Sequence, residues 1–155
     1  MHQKYQSHRL RTGRVSIVTT AYHLRFSVTK PNRAFIAFHV ARVVVKSITQ
    51  EHAMGRAENL CFCVMPDHVH WLMILKKGSI GQSVHNIKRL SNHLSGCRIP
   101  WQRGYFDHGI RNHENLKQTA RYIVANPLRA GLVSTLGDYP HWDAAWLYSD
   151  FDLSL

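Results

Sequence analysis

In "VMPDHVHWLM", residues 64–73, two histidines stand one residue apart inside the most hydrophobic stretch of a very basic chain. A strand sends alternate side chains to one face, so His68 and His70 project together, about 7 Å apart along the strand. That separation suits two imidazoles converging on one cation; the plainer alternative is one core histidine satisfied by a backbone carbonyl and one exposed. Downstream, "ARYIVANPLRAGL" supplies a second feature. If residues 116–126 are helical, Leu116, Ala120, Ile123 and Val124 make the apolar stripe, while Asn115, Gln118, Tyr122 and Asn126 fall on a separate polar face. Tyr122 and Asn126 are one turn apart, so phenol and amide point the same way.

Two strand histidines, a helical tyrosine and an amide oxygen form a kit for DNA strand cleavage. A divalent cation bound by the imidazoles and the amide would neutralise charge on a phosphodiester and draw electron density from it. The tyrosine oxygen would then attack. Its free pKa of about 10 means that it needs activation by the cation, a water or nearby positive charge. The product is a 5'-phosphotyrosine and a free 3'-hydroxyl, an intermediate that conserves the bond energy for rejoining. Structural zinc on Cys61, Cys63, His68 and His70 fits less well, because C-x-C followed by H-x-H departs from the usual ligand spacing.

Lys and Arg total 20 against 9 Asp and Glu, a formal net charge of +11 over 155 residues, much of it in short clusters. The partner this implies is a polyanion. No apolar run approaches the roughly 20 residues of a spanning helix, and "MHQKYQSHRLRTGR" lacks the apolar core of a signal peptide. The expectation is a soluble cytoplasmic protein with no membrane partner. Three cysteines, an odd number, fit a reducing compartment, and Cys61, Cys63 and Cys97 read as small core or surface residues.

The elements that must position these groups follow from periodicity. "VSIVTTAYHLRFSV", residues 15–28, reads as a strand. A helix follows over 34–52, with Phe35, Phe38, Ala41, Val45 and Ile48 on its apolar face and Gly55 as its stop. "ENLCFCVM" and "HVHWLMILKK" form a hairpin turned at Pro66 and Asp67, so the histidines open its second strand. Residues 79–96 make an amphipathic helix with Ile80, Val84, Ile87 and Leu94 inward, ending at Gly96. "WQRGYFDHGIR" is a fourth strand, and residues 112–126 are a third helix ended by Pro127. The order β-α-β-β-α-β-α predicts an α+β, ferredoxin-like antiparallel sheet with two helices on one face and an additional C-terminal helix carrying Tyr122. One domain spans 1–155, with a basic arm over 1–13 and a tail over 134–155 packing back onto the body.

"VMPDHVHWLM" closely resembles the histidine-hydrophobe-histidine motif of the REP-associated tyrosine transposases, relatives of the single-tyrosine insertion-sequence transposases. "YFDHGIR" and "YIVANPLRAGLV" resemble two further blocks of that family, in the right order, so the resemblance covers roughly residues 13–133. It implies the same ferredoxin-like fold, His68 and His70 as metal ligands, Tyr122 as nucleophile and Asn126 as the residue completing the metal site. It also implies Mg2+ or Mn2+, where imidazoles alone would suit zinc, copper or nickel equally. The implied partner is single-stranded DNA beside a hairpin, the implied location the bacterial nucleoid, and the protein works as a monomer or homodimer.

The chain departs from the family at Asp67, where asparagine is common; the acid there is a turn former, a partner to a ligand or a further ligand. "YQSHRLRTGRVSIVTT" matches only loosely the family stretch that recognises a tetranucleotide beside the hairpin. Candidate phosphate contacts are Lys76, Lys77, Lys88 and Arg89, with Arg9, Arg11 and Arg14 near the N-terminus and Arg121 and Arg129 around the tyrosine helix. Trp101, Tyr105 and Phe106 are candidates for base stacking, though aromatics at strand spacing are more often core. Two other functions compete: a hairpin-binding protein on the same fold without turnover, and a metal-dependent phosphoester hydrolase that has no use for Tyr122.

Overall fold

The computed structural model describes residues 15–147. Its sheet has five strands: β1 (Ala21–Ser27), β2 (Ala57–Val64), β3 (His68–Leu75), β4 (Phe106–Ile110) and β5 (Trp142–Ala144). They lie in the order β4-β1-β3-β2-β5, with every neighbouring pair antiparallel. The helices are α1 (Phe38–Ala53), α2 (Ile80–Ser95), α3 (His113–Val124) and a single turn, α4 (Asn126–Arg129). This is the expected ferredoxin-like arrangement, extended at one edge by β5. No helix among the described residues is long and apolar enough to cross a membrane.

Period-two alternation divides the sheet into two faces. Leu24 and Phe26 of β1, Phe62 and Val64 of β2 and Val69, Trp71, Met73 and Leu75 of β3 pack against α1 and α2, forming the larger core. The opposite face carries a smaller core, in which Cys61, Cys63 and Leu72 meet Ala120, Ile123 and Val124 of α3. His68 and His70 share a strand face with Leu72, so they lie on the α3 side of the sheet.

Local chemistry fixes the ends of the elements. Ser79 caps α2 by accepting from Gln82 N–H, and Gly96 closes that helix in the left-handed region at φ 66°. Asn112 caps α3 by accepting from Asn115 N–H. The β2-β3 turn is held from outside: Val28 N–H donates to Asp67 O and Phe35 N–H to Pro66 O, both at 3.0 Å. Those bonds hold the backbone immediately before His68.

Four sequence expectations need correction. The first strand starts at Ala21, not at residue 15, because the chain turns at Val18 and Thr19, with Thr19 at φ 70°. The fourth strand is trimmed to Phe106–Ile110, leaving Trp101 as an isolated bridge to Val28. Pro127 does not end the third helix: α3 stops at Val124, and Pro127 sits in the first turn of α4, where its missing N–H has no helical partner to lose. Phe38 and Leu94 are exposed, Phe38 resting its ring on His141, while Val40, Val44 and Ser91 take inward positions.

Candidate active site

The register places the site. Arg25 is opposite His70 and Ser27 opposite His68 on one side of β1, while Arg25 pairs with Phe106 and His23 with His108 on the other. Cross-strand partners share a face, so His68, His70, His23, Arg25, His108 and Phe106 all project to the α3 side. The Tyr122 ring arrives from α3 edge-on, its centroid 5.8 Å from that of His70 and 6.4 Å from that of His23. The strand pair and the helical tyrosine are therefore brought together within one chain.

A continuous chain of polar contacts runs through the histidines. His68 Nδ1 is 2.7 Å from Asp67 Oδ1, His68 Nε2 is 3.2 Å from His70 Nε2, and His70 Nδ1 is 2.9 Å from His23 Nε2. Asp67 is thus a partner that holds His68. Burial, reinforced by His68, His23, Arg25 and Arg129, pushes His70 down to about 2. Burial, with His108 and Arg25, pushes His23 down to about 4. His68 is also lowered, chiefly by burial, with Asp67 pulling the other way. Burial pushes the Asp67 carboxyl up, but the His68 hydrogen bond and charge, the backbone and Arg25 outweigh it and hold it below the carboxylate range. At neutral pH the imidazoles are uncharged and the carboxyl is ionised, which is the protonation state that ligation needs.

Donor geometry bears on whether a cation fits. Two nitrogens on one ion at about 2.0–2.1 Å, at angles from a right angle to tetrahedral, lie about 2.8–3.4 Å apart. The Nε2 pair at 3.2 Å falls in that range. Among the described residues no group of three or more His, Cys, Asp or Glu is arranged to hold an ion. Burial keeps the Cys63 thiol protonated, pushed up to about 12, so it adds no thiolate. Further donors have to be an amide, water or the phosphate itself. Asn126 Nδ2 donates to Tyr122 O (3.2 Å) and Ile123 O (3.4 Å), which ties its amide nitrogen to the end of α3.

Tyr122 is 45% exposed, as its place on the polar face of α3 requires. Arg129 stacks on it, the guanidinium carbon 3.8 Å from the ring centroid, and also donates to Tyr122 O. Arg129 and Arg25 place positive charge at the site itself, and exposed Arg121 is the helical neighbour of Tyr122. The other basic candidates are elsewhere. Lys76 and Lys77 follow β3, Lys76 being about 20 Å along the strand from His70 and paired with Glu58 at 3.0 Å. Lys88 and Arg89 are on α2, across the sheet from Tyr122, and Lys88 Nζ donates to Gln102 O (2.9 Å) and Gly104 O (2.7 Å). Arg9, Arg11 and Arg14 lie outside the described residues. Trp101 packs on Phe26 and Phe35, and Tyr105 rests against the core, whereas Phe106 is 54% exposed on the histidine face.

Sequence reasoning missed His23 and Arg25. The signal was in "AYHLRFS", whose alternation sets His23 and Arg25 opposite buried Leu24 and Phe26. Reading it required knowing that β1 lies beside β3.

Comparison with known proteins matches residues 16–126 to the family model described as "Transposase IS200 like". A REP-associated tyrosine transposase of Escherichia coli K12 is 30% identical over 79 residues, covering 50% of this chain and 48% of that protein. A putative one from Haemophilus influenzae Rd is 27% identical over 103 residues, covering 54% and 57%. The chain thus spans about half the length of these curated relatives. Among solved structures, a REP-associated tyrosine transposase bound to a REP hairpin superposes with a TM-score of 0.70 at 22% identity, covering 83% of this chain and 79% of that one, a likeness of fold.

Proposed function

The chain belongs to the IS200-like transposase family, and on that premise we propose that it is a metal-dependent, tyrosine-type endonuclease and strand-transferase acting on single-stranded DNA beside hairpins. The observation carrying this reading is the seating of Tyr122 against its own chain's His68–His70 pair, whose Nε2 atoms face each other at 3.2 Å. Hairpin DNA as substrate is supported by the +11 charge and by the hairpin bound in the structural relative.

In this mechanism the exposed rim of the site takes an unpaired strand. Arg25 and Arg129 engage phosphates flanking the scissile one, and Phe106 offers a stacking face to a base. His68 and His70 through Nε2, with Asn126 through Oδ1, would hold a divalent cation, Mg2+ or Mn2+, which would supply charge neutralisation at the phosphate. Tyr122 Oη attacks phosphorus in line and the P–O3' bond breaks. The phenolic proton is lost to water and the departing 3'-oxygen takes one up, leaving a 5'-phosphotyrosine and a 3'-hydroxyl. Attack by a 3'-hydroxyl on the phosphotyrosine reverses the step and joins strands. Tyr122 lies on its own histidine pair, so one chain holds every group this step uses.

The test is incubation of the protein with hairpin-flanked single strands and Mn2+, followed by sequencing of the covalently captured DNA and mass spectrometry of the peptide. The expected adduct is a 5'-phosphate on Tyr122, absent in Tyr122→Phe. That variant keeps the ring under Arg129 and should change stability by no more than about 0.5 kcal/mol. Binding without any adduct would support the turnover-free hairpin binder, and cutting that survives Tyr122→Phe would support the hydrolase.

A further inference from the structure

The three imidazoles and Asp67 form a chain whose proton positions are fixed by its ends. Asp67 is ionised and only accepts, so His68 Nδ1 carries the proton of their 2.7 Å contact. His68 Nε2 is then a lone pair, and its 3.2 Å contact with His70 Nε2 is a hydrogen bond only if His70 carries its proton there. His70 Nδ1 is in turn a lone pair, and the 2.9 Å contact with His23 requires His23 Nε2–H to donate. One arrangement satisfies every contact, and it places a proton between the two nitrogens that a cation needs.

We infer that His23 is a positioning residue whose imidazole reverses its hydrogen bond to His70, switching His70 between a cation-free and a cation-ready tautomer. The inference rests on the proposed cation site. For the pair to ligate, the His70 Nε2 proton leaves to solvent, the His23 Nε2 proton crosses to His70 Nδ1, and His23 takes up a proton at Nδ1. No net proton is released and every ring stays neutral. His23 Nε2 has then changed from donor to acceptor, which an imidazole does without moving. Its position is set by backbone pairing on both sides, to Leu72 of β3 and His108 of β4, so the ring is held at His70 by the sheet interior. Metal-ligating histidines commonly direct their second nitrogen to a carboxylate or carbonyl. Here His68 has Asp67, and His70 has another imidazole, which can serve both tautomers.

Two measurements on the full chain test this. In cation-free protein, long-range 15N–1H correlation spectra should show His70 protonated at Nε2 and His23 at Nε2; adding Mg2+ should move both protons to Nδ1. His70 already protonated at Nδ1 without cation would overturn the inference. Mn2+ uptake, followed by loss of the free-ion electron paramagnetic resonance signal, should weaken roughly 10–100-fold in His23→Leu. His23→Gln should recover most of it, because a flipped amide either donates or accepts. Uptake that is unchanged in His23→Leu while remaining sensitive to His68→Ala would sink the inference and leave the cation site standing. Wild-type protein that takes up no Mn2+ at the pair would remove the cation site, and His23's role in it as well.

Discussion

Acidification of the cation-free protein should destabilise it through two groups the structure identifies, His23 and His70. Both imidazoles titrate below their ordinary value of about 6.5, His23 at about 4 and His70 at about 2. Between pH 7 and 5 the unfolded chain therefore binds protons that the folded chain refuses, and linkage makes stability fall as pH falls. Each group's unfolded form gains about 2 kcal/mol over that interval while its folded form gains almost nothing, so the two together cost about 4 kcal/mol. His68 and His141, also lowered, act in the same direction. Asp67 does not offset them: its depressed carboxyl stabilises the fold above the unfolded carboxylate range, and that contribution is lost only at lower pH. Against a typical domain stability of 5–15 kcal/mol the loss is large. Urea melts in EDTA at half-unit pH steps, followed by fluorescence of fully buried Trp71, give the curve directly. The double variant His23→Leu/His70→Leu should lose distinctly less over the same interval, keeping only the contribution of His68 and His141. A wild-type loss under about 1 kcal/mol, or equal losses in wild type and double variant, would refute the assignment of buried neutral imidazoles.

Three further outcomes follow from the same geometry. His68→Ala or His70→Ala should abolish adduct formation while leaving hairpin affinity within a few-fold, and EDTA should reproduce this in wild type without unfolding it; gel-shift and capture assays on the same samples separate the two effects. Affinity for hairpin-flanked strands should fall steeply with salt, and Arg25→Ala and Arg129→Ala should each reduce the log–log slope by roughly 1, measured by fluorescence anisotropy. Lys88→Met should lower stability by about 1–3 kcal/mol in urea melts, since it removes the donor to Gln102 O and Gly104 O; Arg89→Ala should leave stability within about 0.5 kcal/mol.

The fold was legible where a period repeats often enough to register. β2, β3 and α2 carry long alternating or helical patterns bounded by turn residues, and their order alone implies the ferredoxin-like sheet. β5 was not legible, because three residues, Trp142–Ala144, display no periodicity. Its pairing comes from contacts made after folding: Tyr139 Oη donates to Val64 O, Val64 N–H donates to His141 O at 2.8 Å, and Trp142 Nε1–H donates to Leu136 O at 3.2 Å. Residues 15–20 were over-read for the opposite reason. Their β-branched content favours a strand, but the chain turns at Val18 and Thr19, where Thr19 adopts a left-handed φ, and the extended run begins only after it.

The site divides along the same line. His68, His70 and Tyr122 each announce themselves within one element, two by strand spacing and one by helical phase. His23 and Arg25 gain meaning only from strand order: their alternation says that they oppose Leu24, and nothing local says what they face. Placing β1 between β4 and β3 brings His23 to His70 and gathers His108, His23, His70 and His68 on the α3 side of the sheet, His108 and His23 as a cross-strand pair and His70 and His68 along β3. Apolar side chains there would be more stable, since burial holds His23 and His70 well below the ordinary imidazole pKa. A fold that keeps such a cluster, on the face where an exposed tyrosine is stacked under arginine, gives up stability at the place where an anionic strand has to be received. The larger core on the far face, closed over Trp71 and Phe26 by α1 and α2, is what allows the fold to carry that loss.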